Sequence, residues 1–237
     1  MGPDAKHLSG GERSTLGLLT WLAIFALAFG YIEGAVAHYL RIHLYPAGFD
    51  DAISLVVDVH TLEVEVGREI CTILLMIAVA ALTLGPLVRR LASFVYVFAI
   101  WDLGYYAALW LFEGWPSSPY DWDLLFLLPV PWLSPVLAPI AISAIGIVGA
   151  VSVHLILDRR GRLIVPWYGI ALVNAALVAW EISFMAHGGP RTRFPSHYRW
   201  WLFLLGLACS LAGYLFAWRS NATGLRPAPT PERKGQE

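Results

Sequence analysis

The chain has 237 residues, of which 58 % are hydrophobic and 14 % charged, with a net charge of −1 and a mean hydropathy of +0.62. Soluble domains carry about 25 % charged residues, so a water-soluble core cannot absorb this much apolar surface, and a near-neutral chain with only short basic clusters offers nothing to a nucleic acid. The apolar residues arrive in runs of about 20 or more, the length a helix needs to cross a bilayer, and not in the alternation of a membrane β-barrel.

Residues 1–14 are polar and are expected to form a cytoplasmic N-terminus. They include Leu8-Ser9-Gly10-Gly11-Glu12-Arg13, which looks like the signature loop of ABC-type ATPases, but the chain has no phosphate-binding GxxxxGK[ST] for such a loop to work beside. Apolar runs follow at 16–40, 64–84, 87–112, 133–157, 163–186 and 200–218. They predict an all-α, polytopic bundle of six transmembrane helices over residues 15–218. The first run is too long for a signal-peptide core and has no small-residue cleavage site.

Runs two and three are separated by Gly85-Pro86 and then Arg89-Arg90, and runs four and five by Asp158-Arg159-Arg160-Gly161-Arg162. The opposite loops are acidic, with Asp50, Asp51, Asp58 and Glu63 in one and the aromatic, proline-rich stretch 114–135 in the other. Lys and Arg collect on the cytoplasmic side, which predicts both termini inside; Arg191, Arg193 and Arg199 on the outer side run against it. The stretch 120–129 is expected to lie as an interfacial or re-entrant segment between helices 3 and 4. Residues 219–237 are expected to be a disordered cytoplasmic tail, so the sequon at Asn221 carries no weight. Cys71 and Cys209 sit singly in apolar runs and are expected to serve core packing.

Ionisable side chains inside a membrane helix cost several kcal/mol, so each is a functional candidate. Four are acidic: Glu33, Glu69, Asp102 and Glu181, on four different helices. Counting along the helices at about 1.5 Å per residue places all four between the midplane and the outer third. Convergence on one pocket is therefore expected, with their carboxyl groups within about 8 to 10 Å, one helix-packing distance. Arg68, Tyr105, Tyr106 and Asn174 fall on faces that fit the same pocket; Asn174 is seven residues before Glu181, and the two tyrosines follow Asp102 by three and four. His154 shares a small-residue face with Pro135, Pro139, Ser143, Gly146 and Ala150, which predicts a packing seam.

Clustered carboxylates need a metal, an arginine or shared protons to neutralise them. A divalent transition metal would draw on Glu33, Glu69 and Asp102 with His38 and His60, yet no helix carries ExxH or HxxxH, and Glu33 and His38 point about 140° apart. Proton relay uses the same residue types without fixed ligand geometry. The plain alternative is a set of buried ion pairs, formed by Arg68 and Glu69 with Arg41 or Glu33, that tie the helices together, with Arg68 as the neutralising partner of the carboxylates.

The runs Gly30-Tyr31-Ile32-Glu33-Gly34-Ala35-Val36, Arg68-Glu69-Ile70-Cys71-Thr72, Trp101-Asp102-Leu103-Gly104-Tyr105-Tyr106 and Gly114-Trp115-Pro116, continuing to Trp122-Asp123, Pro129 and Pro135, resemble those of a group of uncharacterised bacterial multipass membrane proteins. The resemblance spans most of residues 30–140. It implies a bacterial inner-membrane location and draws attention to Glu33, Glu69 and Asp102, and it implies no activity.

Three functions compete on these residues: a metal-dependent membrane oxidase or hydrolase acting on a lipid or small apolar substrate, a proton-coupled transporter of small molecules, and a structural subunit with no chemistry of its own. Metal content, pH-dependent flux and copurifying partners separate them. The bilayer is the one partner the sequence requires.

Overall fold

The computed structural model describes residues 15–44, 59–127, 131–185 and 197–223. They form α1 (Thr15–Leu44), α2 (Val59–Ala81), α3 (Leu87–Glu113), β1 (Trp122–Phe126), β2 (Trp132–Pro135), α4 (Leu137–Arg160), α5 (Trp167–Met185) and α6 (Trp200–Thr223). Five helices, α1 and α3 to α6, are long and apolar enough to cross a membrane, the make-up of a multi-pass membrane protein. Of the six transmembrane helices expected, these five have the length and apolarity to cross. α2 differs because Glu63, Glu65, Arg68 and Glu69 crowd its first half, while its second half, from Ile70, is apolar.

Several boundaries move for identifiable reasons. α2 starts at Val59, ahead of its apolar run, and so carries His60 and Glu63. α4 starts at Leu137 because 132–135 pair instead with β1. The bundle is all-helical as expected, apart from one short antiparallel hairpin in the register Trp122↔Pro135, Asp123↔Ser134, Leu124↔Leu133 and Phe126↔Trp132, with an irregularity between Leu124 and Phe126. Its first strand falls within residues 120–129, the stretch expected to be interfacial or re-entrant, and its second lies beyond it. The turn before the hairpin is closed by Asp121, whose carboxylate accepts from the Ser117 N–H (2.8 Å), the Ser117 hydroxyl (2.9 Å) and the Ser118 N–H (3.0 Å). α6 extends to Thr223, so residues 219–223 are helix and not tail; buried Asn221 donates to the Ile164 carbonyl (2.8 Å) and accepts from its N–H (3.2 Å). Residues 1–14 and 224–237, the acidic positions Asp50, Asp51 and Asp58, and Arg191 and Arg193 lie outside the described residues.

α3 is the hub. α1, α2 and α4 pack on it, α5 packs on α6, and β2 touches both α4 and α5. The α1–α3 contact is nearly backbone to backbone: a Cβ at Gly30 would fall 2.5 Å from the Trp101 carbonyl oxygen, and one at Gly34 2.7 Å from the Ala108 Cβ. Small residues four apart on each helix, Gly30 with Gly34 and Gly104 with Ala108, make this approach possible, as membrane helix pairs require where lipid removes the hydrophobic drive to associate. At the opposite end from the hairpin, Asp158 of α4 accepts hydrogen bonds from Thr15 of α1 and from Arg89 of α3 (2.6 Å). α3 and α4 each stop at a glycine in the left-handed region, Gly114 and Gly161, both with φ of 67°.

The hairpin bridges two cores. Phe126 packs on a cluster around Met76, Val97 and Trp101, while Trp122, Leu125 and Trp132 pack on a second around Trp180, Phe184 and Phe203. His154 is fully buried and bonded to Ser93 (3.2 Å), in line with the predicted seam, except that Pro135 ends β2 and is not on the helix. The cysteines are corrected: Cys71 is exposed on the outward face of α2 and Cys209 is half-buried.

Candidate binding cavity

Between the two cores lies a cavity of about 600 Å³, walled by α1, α2, α3, α5, the start of α4 and the hairpin. All four predicted carboxylates, Glu33, Glu69, Asp102 and Glu181, line it, together with Arg68, Tyr105 and Tyr106. Three further expectations go elsewhere. Asn174 is exposed, its amide donating to the Ile170 carbonyl of its own helix (2.9 Å). His38 sits above the cavity with Nδ1 2.8 Å from a Glu113 oxygen. His60 is exposed on the first turn of α2.

Each polar wall residue is held by a specific neighbour. Glu33 projects from α1 beside the Gly30/Gly34 seam, where the close α1–α3 approach fixes its height. It receives Arg68 on one oxygen and the Thr72 hydroxyl (2.8 Å) on the other, both from α2. Arg68 also reaches Glu65 one turn back on the same helix, through Nε (3.0 Å) and Nη2 (2.9 Å). Of the carboxylates expected to pair with Arg68, Glu33 does so and the adjacent Glu69 does not, with Glu65 as the second partner. Adjacent helical side chains diverge by about 100°, while those three apart share a face. Glu69 turns instead to the hairpin, where both oxygens lie 3.0 Å from the Leu127 N–H, which donates to them.

Asp102 is only 7 % exposed and accepts from the Ser143 hydroxyl of α4 (2.8 Å). Asp123 of β1, equally buried, accepts from the Tyr106 hydroxyl (3.0 Å) and from Arg41 (3.4 Å). Arg41 also donates to Glu113 (3.1 Å) and lies 3.9 Å over the Trp115 ring, so its ion pairs are with Asp123 and Glu113. Burial pushes the Asp123 carboxyl above the usual carboxylate range, against the opposing pull of Arg41, the Tyr106 hydroxyl and the Leu124 backbone. Tyr105 lies within electrostatic reach of Asp123, Arg41, Arg68 and Asp102.

The formal charges on this wall do not balance. Six carboxylates, Glu33, Glu65, Glu69, Asp102, Asp123 and Glu181, face two guanidiniums, Arg41 and Arg68. Asp102 and Glu181 have no basic side chain in ion-pair contact among the described residues. In surroundings of low dielectric, protons or a bound cation must make up the difference. The rest of the wall is aromatic and aliphatic, including Phe98, Trp101, Phe126, Trp132 and Trp180. The indole N–H groups of Trp101 and Trp132 are buried without a partner among the described residues.

The donor set does not suit an inorganic metal. Among the described residues no group of three or more His, Cys, Asp or Glu is placed to hold one. The two histidines that would complete the predicted ligand set, His38 and His60, stand outside the cavity wall.

No family model, curated protein or solved structure matches the chain. The resemblance carried by residues 30–140 gains nothing from these comparisons, and what the cavity does is read from its own residues.

Sequence reasoning missed Asp123, Glu65, Thr72 and Ser143 as wall or holding residues. Glu65 carried a legible signal, its three-residue spacing from Arg68. Asp123 carried little, because the stretch 120–129 around it reads as an interfacial or re-entrant segment and gives no sign of a strand.

Proposed function

We propose that this chain is a six-span bacterial inner-membrane protein, with both termini in the cytoplasm, whose cavity on the outer side takes up a small membrane-soluble molecule while its carboxylates bind a cation or carry protons. α2 completes the six spans, its charged half turned onto the cavity and its apolar half, with Leu74, Leu75 and Ile77 exposed, turned to lipid. The basic residues Arg89, Arg90, Arg159, Arg160 and Arg162 collect at the end opposite the hairpin, which supports the orientation.

The observation that carries this reading is the meeting of carboxylates from four helices and a hairpin on one largely apolar wall with too few arginines to neutralise them. Proton handling is favoured over a metal-dependent oxidase or hydrolase because the predicted histidine ligands are turned elsewhere. It is favoured over a purely structural role because ion pairing leaves Asp102 and Glu181 unused. The proton-coupled transporter is the form of this reading that uses both the cavity and the charge.

Dicyclohexylcarbodiimide tests it, since this apolar reagent modifies protonated carboxyl groups that it reaches through a hydrophobic phase. Mass spectrometry of the treated protein in mild detergent is expected to place the adduct on Asp102 or Glu181. Modification confined to carboxylates outside the cavity would overturn the reading.

A further inference from the structure

Resting on that reading, we infer that the occupant is an organic cation with a hydrophobic body, taken laterally from the bilayer between α2 and α5. Charge complementarity selects the sign: the wall has four more carboxylates than guanidiniums, and both guanidiniums are already engaged, Arg68 by Glu33 and Glu65, Arg41 by Glu113 and Asp123. An anionic or zwitterionic headgroup would find no free cation here. Asp102 supplies the deep charge, buried on α3 with only the Ser143 hydroxyl on it, and Glu181 supplies a second charge across the cavity on α5.

The chemical class follows from the remaining wall. Inorganic cations need several oxygen or nitrogen ligands at short range, and no such group is assembled among the described residues. A lipophilic ammonium or phosphonium needs none. It is satisfied by diffuse negative charge and by aromatic faces, which Phe98, Trp101, Phe126, Trp132 and Trp180 provide around a volume of about 600 Å³.

The route follows from packing. α2 packs mainly on α3, and α5 mainly on α6 and β2, with no extensive contact between α2 and α5 among the described residues. Both nevertheless line the cavity, through Leu62, Glu65 and Glu69 on one side and Leu177, Trp180 and Glu181 on the other. Glu181 and Leu177 line the cavity and are also exposed, which makes this side of α5 the inferred place of entry.

The experiment is equilibrium dialysis of the full chain in lipid nanodiscs against tetraphenylphosphonium, with tetraphenylborate as an anion of the same shape. Saturable binding of the phosphonium alone is expected, weakened about tenfold or more by the D102N/E181Q double variant. L177W, which narrows the rim without touching charge, is expected to weaken it as well and serves if the double variant does not fold. Equal uptake of both ions, or phosphonium binding unchanged in the variants, would show simple partition into an apolar space and overturn the inference. If the carbodiimide modifies Asp102 or Glu181 but the phosphonium does not bind, the cavity reading survives and the organic-cation assignment falls. If neither occurs, the reading of the cavity itself has failed.

Discussion

Gly30 of α1 lies against the Trp101 carbonyl of α3 so closely that a Cβ would sit 2.5 Å from the oxygen. Neither backbone can yield without moving Glu33 and Asp102, which lie three residues and one residue further along. Gly30→Ala is therefore expected to destabilise the fold by about 1–3 kcal/mol through overpacking. Gly67→Ala, where a Cβ meets nothing within 4 Å, is expected to be neutral or slightly stabilising. Unfolding in mixed detergent micelles compares the two, and equal effects would refute the close-packed seam.

Arg68 joins α2 to α1 through Glu33. Arg68→Ala strands a carboxylate that is only 5 % exposed and is expected to cost about 3 kcal/mol. Glu33→Gln in the same background should restore part of that loss, because it removes the stranded charge. A double-mutant cycle on unfolding free energies measures the coupling, and additive effects would show that the pair is not formed.

Asp123 makes stability depend on pH. Its folded-state pKa is raised by burial, so the folded chain holds this proton more tightly than the unfolded chain. The sign follows: this contribution is fully present below the ordinary carboxylate range and is lost as pH rises through the elevated folded value. Asp123→Asn is expected to flatten the decline in stability with increasing pH over that window, measured by denaturant unfolding at stepped pH. A decline of the same steepness in the variant would assign it to another group.

Topology is open to direct measurement in a background with Cys71 and Cys209 replaced by alanine. Ser117→Cys, in the turn before the hairpin, is expected to react with a membrane-impermeant maleimide in intact spheroplasts. Arg162→Cys, at the opposite end, is expected to react only after permeabilisation. The reverse pattern would invert the orientation, and reaction of both in intact cells would remove the six-span arrangement.

The sequence revealed the helices because apolar runs of bilayer length have few other uses, and it revealed the four carboxylates because each is costly where it stands. It pointed to Arg68 as a neutralising partner but did not reveal which carboxylates that arginine meets. Arg68 is adjacent to Glu69 in sequence but turned about 100° away from it on the helix, and the contact it makes with Glu33 spans two helices. The hairpin was hidden for a different reason: Leu124, Leu125, Phe126 and Leu127 are apolar in succession because the strand is covered on both faces, which erases the period-two signal. Asn174 has the angular position expected of a wall residue, but it lies about 10 Å along the axis from Glu181, beyond the reach of the cavity.

The contact between Glu69 and Leu127 divides the selective burden unequally. The acceptor is a particular carboxylate, whereas the donor is a main-chain N–H that every residue except proline supplies. Position 127 is thus free to drift among nineteen amino acids without loosening the tie between α2 and the hairpin, and position 69 is not. Among distant descendants of this chain the loop would diverge beyond alignment while Glu69, Gly30 and Gly34 persisted, so that kinship would be traced through three isolated letters and not through any continuous stretch of text.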